Sequence, residues 1–185
     1  MELSTERLLL RPIREDDVRD IFEYSKDESV GPSAGWKPHE TLEETKLIMQ
    51  EVFLNQENVF GIVWKEENRM IGTIGLIQDD KRQNDLGKML GYAIGQNYWG
   101  KGIMTEAAAY LVCYGFDFLK LSLVSAYCYP FNERSKKVIE KLGFIYEGRL
   151  RDAERIYNGK LYDNLCFSIT KEEYLKQPYA EKSNF

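Results

Sequence analysis

Between Asn97 and Leu111 the chain reads NYWGKGIMTEAAAYL, with Gly100 and Gly102 set against strong helix formers directly after the strand-like KMLGYAI. Where a strand turns into a helix, successive backbone N–H groups lack partners. With the helix dipole they make an anion site that a phosphate can approach closely if the residues are glycine. A tight turn at positive φ asks for the same glycines, so the spacing alone leaves both readings open. Two nucleotide-binding patterns can be tested directly. Gly95 and Gly100-Lys101 stand at P-loop spacing, but Gly102 occupies the position where a Ser or Thr hydroxyl would ligate magnesium. The dinucleotide fingerprint fails as well, because Thr105 stands where its third glycine belongs.

A second constellation is NERSKKVIEKLGF. Asn132 and Ser135 have the spacing of a helix N-cap and its N3 residue, and equally that of two polar groups presented at a helix start. Lys136, Lys137 and Lys141 follow on the same helix, as a solvated face or as positive charge for a phosphorylated ligand. His39 is the only histidine, and no Cys/His/Asp arrangement suggests a covalent triad. Cys113, Cys128 and Cys166 are odd in number and lack a C-x-x-C pair, which points to buried small hydrophobes rather than disulfides or zinc. No metal is expected.

The elements that would position these residues can be read from periodicity and punctuation. ERLLLRPI reads as a strand and DDVRDIFEYSK as an amphipathic helix with Asp16-Asp17 in its first turn. SVGPSAGWKPHE is a loop, and Thr41 with Glu44 forms a capping box before the helix EETKLIMQEVFLNQ. VFGIVWKEENRMIGTIGLI reads as a hairpin, GKMLGYAI as a strand, and the glycine segment as the start of a helix running to about Leu119. SLVSAYCYP is a further strand, Asn132 and Gly143 bound a compact helix, and the tail forms a last hairpin turning at Asn158-Gly159. This order implies a mixed α+β sheet rather than a doubly wound one.

With 185 residues and no repeat or linker, the chain is expected to form a single domain over residues 1–185, with a core of about residues 3–175. Its composition is that of a folded protein, and no apolar run approaches the roughly 20 residues of a membrane span. The start MELSTERLLLRPI has none of the layout of a secretion signal, so a cytoplasmic location and no membrane partner are expected. A net charge of -5 argues against nucleic acid as a partner while leaving room for a local basic pocket. Exposed edges of a mixed sheet are compatible with a homodimer.

LGYAIGQNYWGKGIMTEA, followed further on by NERSKKVIEKLGF, resembles the GCN5-related N-acetyltransferase (GNAT) superfamily, and within it the RimJ/RimL-like branch of ribosomal-protein N-terminal acetyltransferases. The likeness runs from TERLLLRPIREDD to YDNLCFSI. It implies the GNAT fold: a mixed, mostly antiparallel central sheet flanked by helices, with a splayed strand pair holding acetyl-CoA as co-substrate. The family's loop, Q/R-x-x-G-x-G/A, maps onto Asn97 to Gly102, with Asn97 departing at its first position. The resemblance implies that backbone amides of Trp99, Gly100, Lys101, Gly102, Ile103, Met104 and Thr105 hold the pyrophosphate. It implies that Ala93 and Ile94 pair with the pantetheine arm, that Asn132 hydrogen-bonds the cofactor and that Ser135 lies near the thioester sulfur.

Acetylation needs a neutral amine, whereas a lysine-like amine titrates near 10.4 and an α-amine near 8, so a base or water relay is required. In the RimL branch a glutamate matching Glu154 activates the amine through water; ion pairing with Arg151 or Arg155 is the structural alternative for this residue. Ser135 is the candidate proton donor to the departing thiolate, and N–H groups near Ile94 would stabilise the oxyanion. The family places the loop of Trp36, Lys37 and His39 beside the acceptor, although a Trp there also suits a core edge. Tyr92 faces the acceptor cleft if its strand alternates, while Glu106 suits the helix dipole. The expected activity is direct transfer to a primary amine, with a protein N-terminal α-amine first. A polyamine, amino sugar or amino acid is the alternative acceptor, and a non-catalytic acyl-CoA-binding regulatory module the alternative class.

Overall fold

The computed structural model describes residues 1–54 and 56–182, in which strand patterning and helix signals of the sequence resolve into two compact units. The first comprises Met1–Gly75 and Tyr92–Ile103, the second Leu76–Gly91 and Met104–Phe185.

In the first unit the strands β1 (Leu3–Ser4), β2 (Leu8–Arg11), β3 (Val59–Trp64) and β4 (Arg69–Ile77) follow one another antiparallel. Leu8 and Leu10 are fully buried while Leu9 and Arg11 are only half-buried, the period-two pattern that fixes which face is inside. Helices α1 (Val18–Ser25) and α2 (Leu42–Val52) supply Ile21, Tyr24 and Met49 to a cluster with Val63 and Met70 of the strands and Ala93. The capping box expected at α2 is shared differently. Thr41 accepts from the Glu44 amide, but the Glu44 carboxylate reaches back to the N–H of Glu40 at 2.6 Å, one residue earlier than the pattern places it. At Gly72 a Cβ would lie 2.3 Å from the carbonyl oxygen of Ala93, so the end of strand β5 (Gly87–Ile94) can run this close only past a glycine.

In the second unit the start of β5 pairs in parallel with β6 (Leu123–Cys128), Gly87–Met89 against Leu123–Ser125. The ladder stops there: no pair follows at Leu90 or Gly91, although β6 runs on to Cys128. On its other side β6 is antiparallel to β8 (Leu161–Thr170), which in turn pairs with β7 (Ile145–Arg155). Helix α3 (Ile103–Cys113) ends earlier than the sequence suggests and widens into a π turn over Tyr114–Phe118. The added residue lets Phe116 stack on Tyr174 at 4.8 Å while Asp117 accepts from Lys171 and Tyr174 of the short helix α5 (Lys171–Tyr174), a long-range demand that no local pattern announces. Helix α4 (Glu133–Lys141) begins and ends as read, with Asn132 accepting from the Ser135 amide and Gly143 at φ 81°.

The β7–β8 hairpin closes where Asn158-Gly159 placed it, with Ile156 N–H donating to Lys160 O at 2.9 Å. Its ladder then breaks. Leu150 opposes Asn164 and Glu154 opposes Tyr162, so residues 151–153 face Asp163 alone. Asp152 takes a positive φ of 48° within this bulge, and its N–H donates to Asp163 at 2.8 Å. An unbroken ladder would set Asp152 opposite Tyr162; the bulge sets Glu154 there. The architecture is thus the α+β arrangement expected, with eight strands among the described residues, mostly antiparallel, and flanking helices.

Candidate active site

At the end of β5 the Gly95 amide donates to Ile71 O at 2.9 Å, and a single 3-10 turn over Gln96–Tyr98 brings the chain to Trp99. The indole N–H of Trp99 donates to the Ile94 carbonyl at 3.0 Å, tying the residue before the glycines back to the end of β5. Gly100 and Gly102 both adopt left-handed conformations, φ 75° and 74°, and α3 starts at the next residue, Ile103. A Cβ at Gly100 would meet nothing within 4 Å, and at Gly102 only the Arg7 guanidinium at 3.7 Å. Packing therefore does not demand these glycines. Backbone conformation does, since both residues lie in the left-handed region. Gly100, Lys101 and Gly102 are exposed, Trp99 and Thr105 half-buried, and Ile103 and Met104 buried. The turn reading of the sequence is thus realised in this segment.

Also in the first unit, Trp36 packs against the core cluster, with its indole N–H buried and without a partner. It covers the core edge, as its place in a Gly/Pro-rich loop allowed. Tyr92 is half-buried, and Ala93 and Ile94 are buried. His39 is a fastening. Its Nδ1 lies 2.9 Å from the Thr45 hydroxyl, which itself donates to Thr41 O, so the network assigns the proton to Nδ1. Burial lowers the His39 pKa, favouring the neutral ring.

In the second unit the candidate chemistry is tied together by hydrogen bonds. The Glu154 carboxylate accepts from the Tyr129 hydroxyl at 2.8 Å and from the Asn164 amide at 3.3 Å. Its partners are neutral groups, not Arg151 or Arg155. Tyr129 is 5% exposed, and burial followed by the Glu154 contact raises its pKa, so it remains a donor. The Tyr129 carbonyl accepts from Asn132 N–H at 2.9 Å, and Asn132 Oδ1 accepts from Ser135 N–H at 3.1 Å. One chain of bonds therefore runs from Glu154 to the start of α4. Tyr129, Phe131 and Tyr162 lie beside it as a packed aromatic triad with centroids 5.1–5.3 Å apart. Lys136 makes a long ion pair to Glu140 at 3.9 Å.

The thiols of Cys113, Cys128 and Cys166 are buried and raised by desolvation, Cys128 to about 11, an environment that suppresses thiolate nucleophiles. Among the described residues no three His, Cys, Asp or Glu side chains gather as a metal ligand set, and no helix is long and apolar enough to cross a membrane. Sequence reading missed Tyr129, Asn164 and Arg7. A tyrosine closing a strand before Pro130 carries no signal for its long-range partner, and Asn164 is one of several polar residues in its strand, with Asp163 and Ser168.

Residues 7–145 match the family model described as the acetyltransferase (GNAT) domain. The uncharacterized N-acetyltransferase p20 of Bacillus licheniformis is 35% identical over 93% of this chain and 97% of its own length. The ribosomal protein uS5-alanine N-acetyltransferase of Escherichia coli is 26% identical, covering 94% and 93%. Among solved structures, a GNAT-family acetyltransferase from Bacillus anthracis superposes with a TM-score of 0.83 at 27% identity, over 93% of this chain and 99% of that one. The match across the glycine loop and α4, with this level of identity over nearly the whole chain, means that the protein belongs to the GNAT family of N-acetyltransferases.

Proposed function

We propose that the protein transfers the acetyl group of acetyl-CoA directly to a protein N-terminal α-amine. The observation that carries this reading is the Glu154 carboxylate, turned by a bulge toward Tyr129 and Asn164 and held by neutral donors instead of an arginine. A carboxylate so held can accept a proton, directly or through water, from an ammonium that must be neutral before it attacks. The amides of Trp99 to Thr105 hold the diphosphate, and the backbone at Ala93 and Ile94 takes the pantetheine arm as an added strand. Asn132 orients the donor, and Ser135 passes a proton to the leaving thiolate. Trp36 and Tyr92 border the acceptor. The name of the Escherichia coli relative supports the choice of acceptor, since that protein acts on the alanine of a ribosomal protein.

The test is thiol release from acetyl-CoA with a panel of N-terminal peptides, polyamines, amino sugars and amino acids. Turnover confined to peptides with a free α-amine is the expected result. Turnover on small amines alone replaces the acceptor, and calorimetric binding of acetyl-CoA without turnover on any amine makes the chain a binding module. Gly102→Val should weaken acetyl-CoA binding, and unchanged affinity would remove the loop from the diphosphate site.

A further inference from the structure

Arg7 stands in the opening TERL, yet its Nη1 donates to the carbonyl of Lys101 at 3.1 Å, across 94 residues of sequence. That carbonyl lies between the two left-handed glycines. In a planar trans peptide the carbonyl oxygen and the next N–H point in opposite directions, so a donor that holds Lys101 O also turns the Gly102 N–H away from itself. The peptide would otherwise reorient at little cost, because Gly102 accepts either sign of φ. A carbonyl swung into the anion site would present a partial negative charge to a phosphate in place of a donor.

Arg7 is itself held. Its guanidinium lies 5.7 Å from the centre of the Trp64 ring. Trp64 meets Tyr98 with centroids 6.0 Å apart, and the Lys101 ammonium lies 5.4 Å from the Tyr98 ring. The Tyr98 hydroxyl donates to Glu67 at 2.6 Å. Two cations and two aromatic rings therefore close a circuit around the glycine segment, Arg7 to Trp64 to Tyr98 to Lys101 and back through the Lys101 carbonyl. A Cβ at Gly100 would meet nothing within 4 Å, so side-chain packing at that position does not hold the loop.

We propose that Arg7 is a positioning residue for the donor: by fixing the Lys101–Gly102 peptide it presents the Gly102 N–H to the diphosphate of acetyl-CoA. This rests on the reading of the glycine loop as the diphosphate seat. Ordering the peptide in advance reduces what binding must spend on it, so the effect belongs to donor affinity and not to the chemical step.

Calorimetry with CoA and with pantetheine, which lacks the diphosphate, tests it on the full chain. Arg7→Met should weaken CoA about tenfold or more, the scale of a hydrogen bond from a charged donor, and raise the acetyl-CoA KM while kcat and pantetheine affinity stay within about twofold. Arg7→Lys, which keeps a cationic donor without the fork, should recover part of the loss. The Gly102 amide resonance should broaden or split in Arg7→Met, a signature that a general loss of packing would not confine to that residue. If Arg7→Met does not fold, the intermediate CoA affinity of Arg7→Lys with unchanged pantetheine affinity carries the test. Equal losses for CoA and pantetheine would overturn the proposal. So would unchanged CoA affinity in the Arg7 variants while Gly102→Val weakens it. If neither Gly102→Val nor the Arg7 variants alter CoA binding, the loop reading falls together with the role of Arg7.

Discussion

Glu154 shows what a single residue owes to its surroundings. Its neighbours in sequence, Arg151 and Arg155, suggest an ion pair, and alternation along a regular strand would have set Asp152 opposite Tyr162. The bulge moves it to Tyr129 and Asn164, whose donors occupy one carboxylate oxygen each. Glu154→Gln is expected to lower kcat by about 10²–10⁴, the usual contribution of a positioned base, with acetyl-CoA affinity unchanged by calorimetry. Tyr129→Phe keeps the ring and loses the hydroxyl, so kcat should fall by less, about tenfold, with the same cofactor affinity. Wild-type turnover in both variants would take this carboxylate out of the mechanism. Its placement was not legible in the sequence, because a bulge that depends on Asp163 accepting from the Asp152 N–H leaves no periodic trace there.

Element by element, α2 is the clearest case of a start written in local chemistry. Thr41 caps it, Glu44 reaches back to Glu40, and His39 is tied through Thr45 to the Thr41 carbonyl. Thr41→Ala should cost about 1 kcal/mol, read as a lower denaturant midpoint at unchanged slope. The histidine adds a pH dependence whose sign follows from its burial. With its folded pKa lowered, the native state binds fewer protons at His39 than the unfolded chain does below about 6.5. Stability contributed by the neutral ring is therefore present above that value and is lost as pH falls toward the lowered one. Denaturation midpoints from pH 7.5 to 5 should show this limb in the wild type and lack it in His39→Gln. Caps, turns and strand alternation were readable because they depend on residues within a few positions. The π turn after α3 was not, since Phe116 and Asp117 answer to Tyr174 and Lys171.

For the molecule as a whole, the fold class followed from the order of elements, and the family from the agreement of glycine spacing with NERS. What remained hidden were contacts that cross the chain: Arg7 on Lys101, Tyr129 on Glu154, Gly72 against Ala93. Such contacts are made by ordinary residues in ordinary positions, and only tertiary structure gives them meaning. The ladder that stops after Met89 and Ser125 carries a consequence for handling the protein. A strand edge past the end of its ladder is a template for another chain, and a co-substrate seated there as proposed, with its own amides along the edge, would act as a plug. At 100 times its Kd, acetyl-CoA should stabilise the fold by about 2.7 kcal/mol, or about 5–10 °C in a thermal scan, and suppress light scattering on heating. A glycine-loop variant that binds no donor should clump at the same temperature with or without it, behaving as a chain whose built-in stopper has been withdrawn.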